Sequence, residues 1–358
     1  MAAAGGAGTG TGRATDTPAL PVLVVGPDIN VLCPPRTHRR DPAAADAAKE
    51  VPVPVSVRSR YDDLVAALSD VVASVRVSGT GSPIAPPLYL DADRTAVLED
   101  LASVVHCFDS GAASGNVFGR MITGPAGVGK SSFLQAMVLG ITACAKRTLA
   151  AYFNVNALTP LPLPSELVAR VCAAAGDPAF QLPEGTDTRD HIAMISALCA
   201  LRVHVVLVLD ELHTAFTRSP AEGHPWFRQI ASLIVSSSAA VSVVMSGSSD
   251  HLADLCFGKY PKDAATEAAY PSYYHRVPKI KRDCTSQLHL GPIRTVPDLR
   301  GYLLSRCPAA VVSWDVGAAE ALLRASGGYY KALDECLGGV TGSSLAESLG
   351  HAAVSSPP

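Results

Sequence analysis

The stretch Gly124-Pro125-Ala126-Gly127-Val128-Gly129-Lys130-Ser131 carries the residue types that can hold a polyphosphate. Glycines at 124, 127 and 129 let the backbone curl so that successive N–H groups point inward at phosphate oxygens. A helix opening at the lysine would add its positive end. The spacing fits G-x-x-x-x-G-K-[ST]. Lys130 would then reach the β- and γ-phosphates of ATP. The Ser131 hydroxyl would take Mg²⁺, which prefers oxygen ligands and keeps several waters. Ser132 closes the candidate binding stretch and is a bystander to the metal by spacing.

A second cluster follows the apolar run Val203-His204-Val205-Val206-Leu207-Val208-Leu209, which ends in Asp210-Glu211. Such a run suits a central strand buried on both faces. Ligands of open parallel sheets bind at the carboxyl ends of strands, so Asp210 is expected beside Ser131, holding Mg²⁺ through water. Glu211 would face the γ-phosphate and draw a proton from the attacking water. The plain alternatives are a chance glycine turn and a polar strand ending. Each is disfavoured by the other half of the site, and the first also by the strand and helix flanking the loop.

The elements that must position these residues alternate. Strands are predicted over 117–123, 148–155, 203–209, 241–246 and 287–290, with helices over 130–145, 166–175, 190–201 and 226–236 and a short one from Asp250. Strands separated by helices imply a three-layer α/β/α domain with a mostly parallel sheet. Two further helical segments, 297–306 and 316–337, have no strand between them and predict a small C-terminal helical lid. The expected division is a tail over 1–60, a helix and linker over 61–87, the sheet domain over 88–295, the lid over 296–340 and a tail over 341–358. The insertion 257–282, with Tyr260, Tyr270, Tyr273 and Tyr274, is long for a helix-to-strand connection and reads as a partner surface or an unordered loop.

Composition bounds the function classes. Apolar residues make up 48% and charged ones 17%, which favours a well-buried interior. A net charge of −3 gives no basic field, so nucleic-acid binding would rest on the small patch Lys279, Lys281 and Arg282. Nine cysteines without a C-x-x-C pair read as buried thiols rather than a zinc ribbon or redox motif. The first residues lack an apolar signal region, and no apolar stretch approaches the ~20 residues of a membrane span. A soluble protein of an intracellular compartment is expected, with a transit peptide left open by the acid-poor start. No N-K-x-D stretch supports a GTPase, and no H-E-x-x-H supports zinc hydrolysis. His204, inside an apolar strand, reads as a packed or hydrogen-bonded residue.

The phosphate loop, the strand ending Asp210-Glu211 and the later strand 241–246 together resemble the AAA+ ATPases and the related STAND signalling NTPases, over roughly residues 88–337. The segment Tyr89-Leu90-Asp91-Ala92-Asp93-Arg94 is similar to one that lies near the adenine in origin-initiator-like and STAND members. The resemblance implies that Ser246 senses the γ-phosphate, a place where Asn or Thr is more usual. In Gly327-Gly328-Tyr329-Tyr330-Lys331, similar to the lid signature, the customary arginine is missing. If Tyr330 occupies that place, stacking or packing against the nucleotide is what remains, with Lys331 as a substitute; the plain alternative is two tyrosines packing the lid on the core. An arginine finger for a neighbouring subunit would be Arg276 or Arg282. What the resemblance implies is an ATPase, working with Mg²⁺, that switches the lid and so acts on a protein partner or on its own assembly. A nucleotide-binding scaffold and a DNA-binding initiator are the rivals, although no winged-helix segment follows Leu337.

Overall fold

The computed structural model describes residues 31–32, 57–74, 88–110, 119–218, 220–236, 240–247, 285–306 and 316–337. Its centre is a sheet of β1 (Val31–Leu32), β2 (Gly119–Thr123), β3 (Thr148–Asn154), β4 (His204–Asp210), β5 (Val241–Ser246) and β6 (Thr285–His289). The spatial order is β1-β3-β4-β5-β2-β6. From β3 to β6 every pairing is parallel, and only the edge strand β1 runs antiparallel to its neighbour. The strand bearing the phosphate loop therefore lies between β5 and β6, and β5 separates it from the acidic strand β4.

Side chains alternate across this sheet. Ala150, Tyr152, Val206, Val208 and Val244 share a core with α1 (Val57–Ser74), α2 (Ala92–Ser110) and α3 (Lys130–Cys144). Leu149, Phe153, Val205, Leu207, Val243 and Met245 share the other core with α4 (Pro164–Ala174), α5 (His191–Leu201) and α7 (Pro220–Ser236), the last preceded by α6 (His213–Arg218). Covering on both faces is why β4 is buried along its whole length and reads as an apolar run.

The structure corrects several boundaries. Val31–Leu32, inside the expected tail, pairs with Tyr152 and Phe153, because a short apolar dipeptide can satisfy the open edge of β3. The helix assigned to a separate helix-and-linker segment is α1, and it belongs to the sheet domain. Leu68 and Val72 are fully buried and lie where a Cβ on Gly140 of α3 would come within 3.1 Å of Val72, so the glycine permits the close helix approach. Helix α7 starts at Pro220 and carries Pro225 within it, whereas the sequence pattern starts only at 226. The expected lid helix 316–337 is two helices, α9 (Val316–Ser326) and α10 (Tyr330–Leu337), broken at Gly327 and Gly328 with φ of 59° and 73°. The helix expected from Asp250, the 257–282 insertion with Arg276 and Arg282, the Lys279–Arg282 patch and the 341–358 tail lie outside the described residues.

At the amino ends of the strands, His204 is wholly buried. Its Nδ1 lies 3.2 Å from Thr148 Oγ1 and its Nε2 2.9 Å from Ser242 Oγ, so one imidazole ties three strands, with Phe108 stacked at 5.1 Å. Burial first, and the nearby Arg120 charge second, lower its pKa from 6.5 to about 3. The ring is neutral in the folded protein.

The lid consists of α8 (Val296–Arg306), α9 and α10 around Leu299, Tyr302, Leu303, Leu322 and Leu333. Its attachment is polar and buried. The Tyr330 hydroxyl donates to Asp91 Oδ2 at 2.8 Å, and the Arg94 guanidinium lies 4.2 Å over the Tyr330 ring. Arg94 is wholly buried, pairs with the Asp91 carboxylate and donates to the Val128 carbonyl of the phosphate loop. Tyr89 adds a hydrogen bond to Asp298 at 3.2 Å. Gly328 accepts from Ile293 N–H at 2.9 Å, and a Cβ there would run into the Ile293 carbonyl.

Two consequences are measurable. The unfolded imidazole of His204 takes a proton below about pH 6.5 while the folded one resists down to about 3. Its share of stability is thus present at neutral pH and lost as pH falls through that window, by up to ~1.4 kcal/mol per pH unit. Urea midpoints of wild type and His204→Gln should converge between about pH 7 and pH 4.5; parallel curves would show that the ring is not held neutral. Replacing Arg94 by Met leaves Asp91 without its buried cation, and breaking such a pair costs about 3–5 kcal/mol. A loss under about 1 kcal/mol in the same unfolding assay would mean that the charge does not fasten the lid.

Candidate functional site

The loop after β2 has the geometry that its glycines permit. Gly127 and Gly129 adopt φ of 85° and 78°, and Gly129 caps α3, whose first turn begins at Lys130. At Gly124 a Cβ would strike the Leu290 carbonyl, so the close approach of the chain beyond β6 also demands glycine. Pro125 and Ala126 form the outer bend, with Ala126 exposed, and Val128 is buried against the α3 core. Lys130, only 6% exposed, donates from Nζ to the Gly124 carbonyl at 2.8 Å and the Pro125 carbonyl at 2.9 Å. Burial lowers its pKa below the ordinary lysine value, opposed by the Asp210 and Glu211 charges, which places both carboxylates within electrostatic reach. Ser132 faces solvent.

Asp210 ends β4 fully buried, with both oxygens engaged. Oδ1 accepts from the Glu211 N–H at 3.0 Å, and Oδ2 accepts from the Tyr152 hydroxyl at 2.8 Å. Ser131 and Gln135, at the start of α3, lie near the same hydroxyl. The structure thus gathers Ser131 and Asp210 around Tyr152, with the hydrogen bond going to Asp210. Tyr152 carried no motif; its one sequence signal is a lone hydroxyl in the apolar run Leu149–Phe153.

Glu211 leaves the strand in the left-handed region with φ of 56°, a strained choice for a side-chain-bearing residue. The turn is held by its carbonyl, which accepts from Thr214 N at 2.9 Å and Thr214 Oγ1 at 2.7 Å. Leu212 N–H donates to the Ser246 carbonyl at 2.9 Å. The Glu211 carboxylate is partly exposed, with His213 Nδ1 3.4 Å away but not aligned as a hydrogen bond. Ser246, at the end of β5 between the two halves of the site, is fully buried, and its hydroxyl has no hydrogen-bond partner among the described residues.

The lid reaches the loop directly. Lys331 N–H donates to the Gly127 carbonyl at 3.0 Å, but the Lys331 side chain is 77% exposed and turned to Glu335 at 3.9 Å. The Tyr330 ring is packed against Tyr302 and Arg94, joining lid to core.

These residues fit a magnesium nucleotide. A hydroxyl and a carboxylate are the hard oxygen donors that Mg²⁺ takes, an orphaned buried hydroxyl stands between them and the loop, and the loop curls as a phosphate requires. Among the described residues no group of three His, Cys, Asp or Glu side chains gathers as an all-protein metal cage. None of their helices is long and apolar enough to cross a membrane.

No curated protein matches the chain. Among solved structures, it is similar to the ORC2 protein of Aeropyrum pernix in its ADPNP–ADP complexes, with 15% identity over 76% of this chain and 70% of that one and a TM-score of 0.44. It is also similar to the Aeropyrum pernix ORC1 protein in complex with DNA, with 20% identity over 75% of this chain and 66% of that one and a TM-score of 0.44. A Walker-type ATPase of Pyrococcus abyssi matches at 14% identity over 74% and 72%, with a TM-score of 0.42. The model of the family Novel STAND NTPase 1 matches residues 96–294, which hold the loop, the acidic strand and Ser246. With more than half its length matched by that model, the chain belongs to the Novel STAND NTPase 1 family.

Proposed function

We propose that the protein binds Mg²⁺–ATP at the loop 124–131 and hydrolyses it, using the nucleotide state to set the position of the lid. The observation that carries this reading is the buried Asp210 carboxylate, held by Tyr152 and the Glu211 N–H within electrostatic reach of Lys130 in the phosphate loop. When bound, Mg²⁺ neutralises charge on the β- and γ-phosphate oxygens. Lys130 exchanges its two loop carbonyls for phosphate oxygens, and inward N–H groups of the loop hold the remainder. Ser246 offers its unpartnered hydroxyl to the γ-phosphate or the attacking water, and Glu211 takes the proton from that water.

The coupling to the lid follows from two carbonyls. Gly127 is held by the Lys331 backbone and Val128 by Arg94, whose guanidinium lies over Tyr330. A shift of the loop backbone on filling therefore moves groups that belong to, or pack on, α10. A protein partner, or a second copy of the chain, is what such a lid movement would act upon.

One observation favours a second reading, a nucleotide-binding scaffold with little hydrolysis. At the lid positions nearest the loop among the described residues, Tyr330 is packed against Tyr302 and the Lys331 side chain is turned to Glu335. Two variants and one assay separate the readings. Lys130→Ala should abolish ATP binding without unfolding the protein, since the loop reaches solvent; undiminished affinity would sink the site assignment. Glu211→Gln should keep ATP bound while phosphate release falls ~10²-fold to 10⁴-fold. Release at wild-type rate from that variant would assign the base elsewhere, and no release from wild type would establish the scaffold.

A further inference from the structure

The geometry assigns Tyr152 as a positioning residue for the nucleotide's Mg²⁺: its hydroxyl fixes the Asp210 carboxylate in the orientation that receives the metal. The assignment rests on the magnesium-nucleotide reading above and deepens it.

Tyr152 sits in β3, on the same sheet face as α3, and is 4% exposed. A buried tyrosine must find a partner for its hydroxyl, and here that partner is the candidate metal ligand Asp210. The single phenol proton goes to Asp210 Oδ2 at 2.8 Å. Because Oδ1 of Asp210 is already held by the Glu211 N–H at 3.0 Å, the two contacts fix the plane of the carboxylate. Each oxygen keeps a further lone-pair direction for a metal-bound water.

Phenylalanine would fill the same space between Val206, Val208 and α3, so apolar packing does not require the hydroxyl. The bond from Tyr152 to Asp210 is buried, where a low local dielectric strengthens it. It resembles in logic the outer-shell partners that orient metal ligands, whose loss typically costs 10- to 100-fold in metal affinity.

The test uses the full chain and Tyr152→Phe, with ATP binding measured by titration at increasing Mg²⁺ and again in EDTA. Unchanged ATP affinity in EDTA shows that the variant folds and keeps its phosphate loop. The Mg²⁺ concentration giving half-maximal tightening should then rise ~10-fold or more. A merely structural role would weaken binding equally with and without Mg²⁺, and that result overturns the assignment. So do superimposable Mg²⁺ curves for variant and wild type. If wild type itself shows no tightening with Mg²⁺, both this assignment and the magnesium-nucleotide reading fall. Tyr152→His, which restores a donor at similar depth, should recover part of the Mg²⁺ dependence; recovery absent in a variant that binds ATP in EDTA also counts against the assignment.

Discussion

A phosphate-binding loop turns its N–H groups inward, and that is tenable only if its carbonyls, turned the other way, are also satisfied. In this protein they are satisfied from three sides. Gly124 and Pro125 are bonded by Lys130, Gly127 by the Lys331 backbone, and Val128 by Arg94. A buried carbonyl left without a donor costs about 1–3 kcal/mol, so the loop's shape depends on the lid and on the segment preceding α2 as much as on its glycines. Those two segments lie more than two hundred residues apart in the chain yet meet through Asp91, Arg94 and Tyr330.

This arrangement explains why Arg94 can be wholly buried. Its charge has a carboxylate, a carbonyl and an aromatic face, although its Nε has no hydrogen-bond partner. A partly satisfied cation at the junction of loop and lid costs stability in its own right. Its presence at the point where nucleotide state would be transmitted fits a contact that has to change, since a junction of purely apolar packing would not respond to a phosphate's charge.

The sheet supplies the other half of the geometry through its period of two. Tyr152 and Asp210 fall on the α3 face, with Ser246 at the same parity as Val244, so three strands deliver polar groups to one side of the carboxyl edge. Glu211 escapes that parity through its left-handed φ, which turns its carboxylate away from the burial imposed on Asp210. At the opposite edge, His204 uses the same parity to tie β3, β4 and β5. Buried polar side chains of β4 and β5 therefore gather towards the two ends of the strands, and the middle is apolar.

The sequence by itself determined the layered α/β architecture, the phosphate loop and the acidic strand end, because each is a local pattern: glycine spacing, an apolar run, alternation of strand and helix periods. It left the helix break at Gly327-Gly328 unread, since the positive φ of both residues and the approach of the Ile293 carbonyl to Gly328 are set by the packing of the lid. It placed α1 outside the domain because Gly140, the residue that admits it, lies on another helix. Tyr152 was invisible for the same reason: a tyrosine among apolar strand residues looks like core filling. What decided otherwise was tertiary structure, for the parallel register of β3 with β4 brings its hydroxyl to Asp210, and no spacing along one chain segment encodes that meeting.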